Sequence, residues 1–215
     1  HLNVYRHLPN VGKTAVFDVD CARASNLARD MNSVLYEDLD GILLDADIGA
    51  VSVCTNEDTH FELVRACLEA GKHVLVEKPL ATTVEHCLEL ERVAKKAKRL
   101  LMTGYTLRFD SRYHAAKMSL DNGKIGEVQY MTLRRGGKLK AHRYLNGRAS
   151  LPMFLGVHDY DLARWYTNSE VRSVWAKATY GIWSKFASQR VADTVVAVLE
   201  FESGVVATVE SNWIL

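Results

Sequence analysis

No stretch of the 215 residues approaches the ~18 consecutive apolar residues that span a bilayer, and the N-terminus lacks the basic-then-apolar order of a signal peptide. Neither a membrane partner nor secretion is expected. An excess of one charge is also missing. The 27 basic and 26 acidic residues are interspersed and leave a net charge of +1, so no field of one sign is present to hold a nucleic acid. Cysteine is scarce, and Cys21, Cys54, Cys67 and Cys87 form no CxxC pair. They sit in apolar or helical patterns, which predicts reduced, buried thiols, no zinc site and a cytoplasmic protein. A GxGxxG loop is absent as well. Gly12-Lys13-Thr14 resembles the tail of a P-loop, but His7 stands where that motif needs its first glycine, and the tripeptide leads into a strand instead of a helix. An initiating methionine is lacking. His1 falls within what reads as the second half of an amphipathic helix (Leu2, Tyr5, Leu8) closed by Pro9-Asn10, and Trp213-Ile214-Leu215 lies inside an apolar run. Elements beyond both ends are therefore expected.

What is present is 48% hydrophobic residues, enough to bury a core in one large domain or two modest ones. From Val11 the pattern alternates. Strands are predicted at 14–19, near Val34, and at 50–54, 73–76 and 100–103; helical segments are predicted at 22–31, 39–44, 58–70 and 84–98. Strands alternating with helices predict an α/β fold, a Rossmann-like doubly wound parallel sheet, over residues 1–104. Thr55-x-x-Asp58 and Thr59-x-x-Glu62 both fit a capping box for the third of these helices. Glu91 to Arg99 reads as a solvated helix face. After Tyr105 the character changes. A helix at 111–120, a strand at 127–135, an irregular stretch, a helix at 157–166 and strands at 171–180, 194–201 and 205–211 follow, with Ser203-Gly204 as a hairpin signal. Residues 105–215 are thus predicted to form a second, α+β domain with a mostly antiparallel open sheet.

Val74-Leu75-Val76-Glu77-Lys78-Pro79 places a charged pair and a proline where a buried strand ends. Functional groups of open α/β sheets gather at that edge, and proline restricts the residue before it, so the Lys78 ammonium is aimed. Asp18 ends another strand, where an acid accepts hydrogen bonds from a ribose and repels a 2′-phosphate, which favours NAD over NADP. Helix capping by Asp18 or Asp20 is the alternative reading. Thr55 and Asn56, at the carboxyl end of a third strand, face the same crevice as Lys78 or cap the next helix. His60 is equally open to a structural or a functional role. His158 begins a helix whose Leu162, Trp165 and Tyr166 face inward. It reads as a capping or packing residue unless it converges on Lys78.

In order, AVFDVD (15–20), TNEDTH (55–60), AGKHVLVEKP (70–79), GYTLRFD (104–110), GKIGEV (123–128) and GVHDYDLARW (156–165) resemble the glucose-fructose oxidoreductase/inositol dehydrogenase/rhizopine-catabolism (Gfo/Idh/MocA) family of nicotinamide-dependent oxidoreductases. The resemblance covers nearly the whole chain, and its EKP segment is the specific part. It implies NAD as cofactor, with NADP as the alternative. It places Glu77 and Lys78 beside the nicotinamide, Pro79 in a cis bond, Asp18 on the adenosine ribose, and Thr55, Asn56 and His60 along the cofactor site. It implies a homodimer or homotetramer built on the second domain's sheet. The glycine-rich loop would lie upstream of His1. Many members carry an aspartate four residues before the histidine matching His158; this chain has Phe154.

The resemblance implies hydride transfer between the cofactor and a secondary alcohol of a sugar, polyol or inositol-like substrate. Lys78 would stabilise the alkoxide and His158 would take the proton. Tyr105, Arg108 and Tyr160 are candidates for gripping substrate hydroxyls, with packing as their alternative. Lys140, His142, Arg143 and Arg148 in the 138–153 loop either favour an acidic or phosphorylated sugar or form a solvated loop. A non-catalytic dinucleotide sensor and an NAD-dependent glycosidase are the rival functions.

Overall fold

Ala15 and Val16 (β1) pair in parallel with Val34 and Leu35 (β2), and the crossover between them is the helix Cys21–Met31 (α2). Asp20 caps α2 by accepting from Arg23 N, and Asn32 ends it in the left-handed region at φ 50, as a small polar residue can. The short helix Leu2–Tyr5 (α1) precedes β1. These elements belong to a computed structural model that describes residues 1–138, 150–182 and 191–214. The chain divides into two compact units, His1–Thr103 and Gly104–Leu215.

In the first unit the helix Leu39–Leu44 (α3) leads to a second parallel ladder in the order β3 (Ala50–Val53), β4 (His73–Val76), β5 (Leu101–Thr103). Its register sets Val53 beside Val76 and Val76 beside Thr103, so the three strands end level. Helices His60–Glu69 (α4) and Val84–Ala97 (α5) pack on this ladder through Val64, Cys67, Leu68, Leu90 and Ala94 against Val53, Val74 and Val76. Burial of the valines and leucines among them is worth roughly 1.5–3 kcal/mol each, and it fixes the level at which β3 and β4 end. Helix α4 starts two residues after the predicted 58, with Thr59 at its N-cap as the Thr59-x-x-Glu62 signal has it, although the Thr59 side chain makes no capping bond. The Thr59 hydroxyl turns back to Thr55 Oγ1 at 2.7 Å and to the Asn56 carbonyl at 2.8 Å, closing a turn before the helix begins. Lys13 is paired with Asp45 at 2.5 Å, a structural task for the P-loop-like tripeptide.

The second unit opens with a 3-10 turn, Thr106–Phe109, and the helix Ser111–Asp121 (α6), capped by Asp110. Strand Tyr130–Gly136 (β6) precedes a π turn at Pro152–Gly156, which runs into the helix Val157–Thr167 (α7). Strands Val171–Thr179 (β7), Thr194–Phe201 (β8) and Val206–Asn212 (β9) form an antiparallel meander. Gly204 turns the β8–β9 hairpin at φ 87, a conformation that glycine adopts freely. The sheet order is β6-β9-β8-β7, and β6 lies parallel to β9. A parallel neighbour needs a crossover, which the long connection containing α7 provides. Ala163 and Tyr160 of α7 pack on Ala197, Leu199, Phe201, Ala207 and Val209 of the sheet.

All four cysteines are free, but Cys21 and Cys54 are exposed, which corrects the expectation that every thiol is buried. Cys21 opens α2 on its solvent side, and Cys54 lies one residue past the paired end of β3. No helix among the described residues is long and apolar enough to cross a membrane.

Candidate active site

The level ends of β3 and β4 bring five of the predicted residues together. Glu77 N still donates to Val53 O at 2.9 Å, and beyond that bond the two chains part into exposed Thr55 and Asn56 on one side and Lys78-Pro79 on the other. The Lys78–Pro79 bond is cis. Lys78 is half-buried, and burial holds its ammonium below the ordinary lysine range, while the carboxylates of Glu77 and Glu57 pull in the opposite direction. His60 lies beneath this edge, 1% exposed, with its ring nitrogens on the carbonyls of Pro79 and Thr55. A ring so enclosed supports the edge from inside and has no free face toward a cofactor.

Asp18 lies two residues past β1, half-buried. Its Oδ1 accepts from Asp20 N at 2.9 Å and its Oδ2 stands 3.2 Å from Arg23 Nη1. Capping of α2 falls to Asp20, so Asp18 keeps acceptor capacity at the strand end.

In the second unit the first turn of α7 carries His158 and Tyr160, both half-buried. Burial and the nearby Asp159 raise the Tyr160 phenol above its ordinary value. Asp159 accepts two hydrogen bonds from Arg135 of β6, at 2.7 and 2.8 Å, and Asp161 accepts two from Arg108, at 2.6 and 2.8 Å. Arg108 also lies over the Trp165 ring, 5.6 Å from its centroid. Of the two readings of Arg108, a grip on hydroxyls or packing, these contacts favour the second, because its planar fork holds a buried carboxylate and its face holds a ring. Tyr105 is half-buried at the entry to the 3-10 turn, its carbonyl accepting from Arg108 N at 3.2 Å. Phe154 sits in the π turn with its ring 5.5 Å from that of Trp213. An apolar contact therefore occupies the place where the family resemblance leads one to expect an acid. Lys140, His142, Arg143 and Arg148 lie outside the described residues.

Arg135 and Trp213 escaped the sequence reading. Arg135 follows Arg134 on an alternating strand and carries no mark of its partner 24 positions away. Trp213 ends an apolar run and gives no sign that it will pack on Phe154. Among the described residues no cluster of three His, Cys, Asp or Glu side chains could hold a metal ion.

Comparison with known proteins gives the same outline. Residues 1–105 match the model of the Gfo/Idh/MocA oxidoreductase family's NAD-binding Rossmann fold, and residues 113–215 match that of its C-terminal domain. Inositol 2-dehydrogenase 2 of Saccharopolyspora erythraea is 37% identical over 203 residues, 91% of this chain and 57% of that enzyme. Myo-inositol 2-dehydrogenase of Thermotoga maritima is 31% identical over 178 residues, 82% of this chain and 53% of that enzyme. The crystal structure of apo scyllo-inositol dehydrogenase from Lactobacillus casei superposes with a TM-score of 0.88 at 25% identity, covering 99% of this chain and 64% of the other. The chain spans less than two thirds of the length of these relatives. From its first strand pair to its four-stranded sheet, this chain belongs to the Gfo/Idh/MocA family of oxidoreductases.

Proposed function

We propose that the protein is an NAD-dependent dehydrogenase acting on a secondary alcohol of an inositol-like polyol or sugar. The observation that carries this reading is the half-buried Lys78, lowered in pKa, at the level edge of β3 and β4 beside exposed Thr55 and Asn56. The inositol dehydrogenases among its relatives supply the substrate class.

The residues present fit the cofactor. A half-buried carboxylate past β1 suits a ribose diol and opposes a 2′-phosphate, which favours NAD over NADP. Thr55 and Asn56 offer a hydroxyl and an amide, and Glu77 and Lys78 offer charge of both signs at the same edge. When bound, the nicotinamide takes or gives the hydride. Lys78 orients the substrate oxygen and holds the charge that grows on it as its proton leaves, a strong effect in a site partly shielded from water. His158, at the first turn of α7, is the proposed proton acceptor, since an imidazole exchanges a proton near neutral pH. Tyr105 and Tyr160 are the proposed contacts to the remaining hydroxyls. The Arg135–Asp159 and Arg108–Asp161 pairs hold the turn on which His158 and Tyr160 stand.

A homodimer or homotetramer is the proposed assembly, and exposed Val174 and Trp175 on β7 offer apolar surface for it. A cytoplasmic location is proposed with it.

A sensor that binds the dinucleotide without turning over is the second reading, favoured by Phe154 standing against Trp213 where a carboxylate was expected. Incubating the full-length protein with NAD and a panel of inositols, sugars and polyols, while following nicotinamide absorbance, tests both. A dehydrogenase reduces the cofactor in step with substrate. Binding of NAD without reduction sinks the proposal in favour of the sensor, and sugar released from a glycoside without net reduction points to a glycosidase.

A further inference from the structure

His60 is the first residue of α4, 1% exposed, and one of the largest fully buried side chains in the protein. A buried imidazole needs a partner for its N–H, and the atoms facing its two nitrogens are both backbone carbonyls: Pro79 O lies 2.7 Å from Nδ1 and Thr55 O lies 3.2 Å from Nε2. These carbonyls belong to different segments. Thr55 follows β3 and Pro79 follows β4, and the ladder between the strands reaches as far as Glu77 N and Val53 O. Past that point the ring itself spans the gap.

Carbonyl oxygens only accept, so any hydrogen in these contacts comes from the ring. The 2.7 Å distance is that of a made hydrogen bond and assigns a hydrogen to Nδ1. Pro79 has no N–H of its own, and its carbonyl is fixed one residue beyond the Lys78 side chain. Anchoring that oxygen therefore anchors the backbone from which the ammonium projects. Because the ring is carried by the segment that follows β3, the same bond also sets how far Thr55, with Asn56 beside it, stands from that backbone.

We propose that His60 is a positioning residue, an internal clamp that joins the two strand-end segments and fixes the placement of Lys78 relative to Thr55 and Asn56 without touching cofactor or substrate. Its effect on turnover rests on the dehydrogenase reading above; the clamp itself does not.

Two variants separate a clamp from mere packing. His60→Leu keeps nearly the same bulk and removes the Nδ1–H donor. His60→Asn leaves a void but retains an amide N–H close to the place of Nδ1. Packing alone makes the leucine variant the milder; the clamp makes the asparagine variant the milder. In the full-length protein with NAD, amide hydrogen exchange at residues 55–58 and 77–80 is expected to quicken at least tenfold in His60→Leu and less than threefold in His60→Asn. The kcat should follow the same order, with a loss of tenfold or more confined to the leucine variant. Nitrogen NMR of the histidine ring should find Nδ1 protonated. The reverse order of the variants in exchange, or a bare Nδ1, overturns the clamp. Because exchange is read without substrate, it decides the matter even if the wild-type protein turns nothing over. Exchange that quickens in His60→Leu with kcat unchanged would overturn the positioning of Lys78.

Discussion

Arg135 and Asp159 face each other across the join between β6 and α7 in a two-point ion pair, with the carboxylate 3% and the guanidinium 24% exposed. Removing one member of such a pair strands a buried charge, which costs roughly 3–5 kcal/mol. Asp159→Leu should therefore destabilise the protein by about 3 kcal/mol or more. Arg135→Met with Asp159→Leu should recover a large part of that loss, because neither charge is left alone. Urea unfolding of the two single variants and the double variant measures it; a double variant as weak as the sum of the singles would show that the two residues do not act as a pair.

Lys78→Ala should lower turnover by at least about two orders of magnitude, the scale on which a single charge-stabilising group acts, while NAD binding changes little. Steady-state kinetics beside fluorescence titration with NADH separates these. Near-normal turnover in a well-folded variant would remove Lys78 from the mechanism.

The same lysine also predicts a pH dependence of stability. Burial lowers its folded-state pKa below the unfolded value of about 10.4. Between those two values the unfolded chain binds more protons, so this group's penalty is full below the folded pKa and fades as pH rises toward the unfolded pKa. Lys78→Met should thus be more stable than the wild type at neutral pH, with an advantage that narrows toward about pH 10. Thermal melts of both proteins across that range read the difference; an advantage that grows with pH would contradict the burial argument.

Gly156 lies directly below Tyr160. A Cβ added there would fall 2.9 Å from Tyr160 Cε2 and 3.1 Å from Ser211 Oγ, too close for either to stay in place. Gly156→Ala is expected to cost about 1–3 kcal/mol through overpacking. By displacing the phenol it should raise KM for the polyol severalfold while leaving KM for NAD within about twofold, since glycine and phenol share one unit and the strand-end edge lies in the other. Kinetics varied in each substrate in turn gives the split.

How far the chain could be read depended on how local each cause was. Helix α3 and strand β8 sit where the periodicity put them, because apolar spacing and capping act within a few residues. Helix α4 begins after the second of its two capping-box signals and not the first, because Thr55 and Thr59 bond to each other and close a turn ahead of it. The parallel pairing of β6 with β9 was hidden because it joins residues 76 positions apart, from Tyr130 and Val206 onward. Within the candidate site, Lys78-Pro79 stands out in the sequence as a dipeptide with strong backbone preferences. Arg108 stayed open between grip and packing because its carboxylate, Asp161, lies 53 positions away, and an arginine in a promising motif looks the same whether it waits for a substrate or is already held.

Arg23 stands 3.2 Å from Asp18 and 3.3 Å from Asp20, a guanidinium balanced between two carboxylates. In the proposed reading, the choice between the two dinucleotides is then a matter of charge surplus more than of shape, and the surplus is a single carboxylate. Asp18→Ser would leave Arg23 facing the ribose with only its capping neighbour to hold it, and a 2′-phosphate would find a cation where it had met an acid. Exchanging one side chain should therefore move this protein toward NADP, because Arg23 already stands beside Asp18.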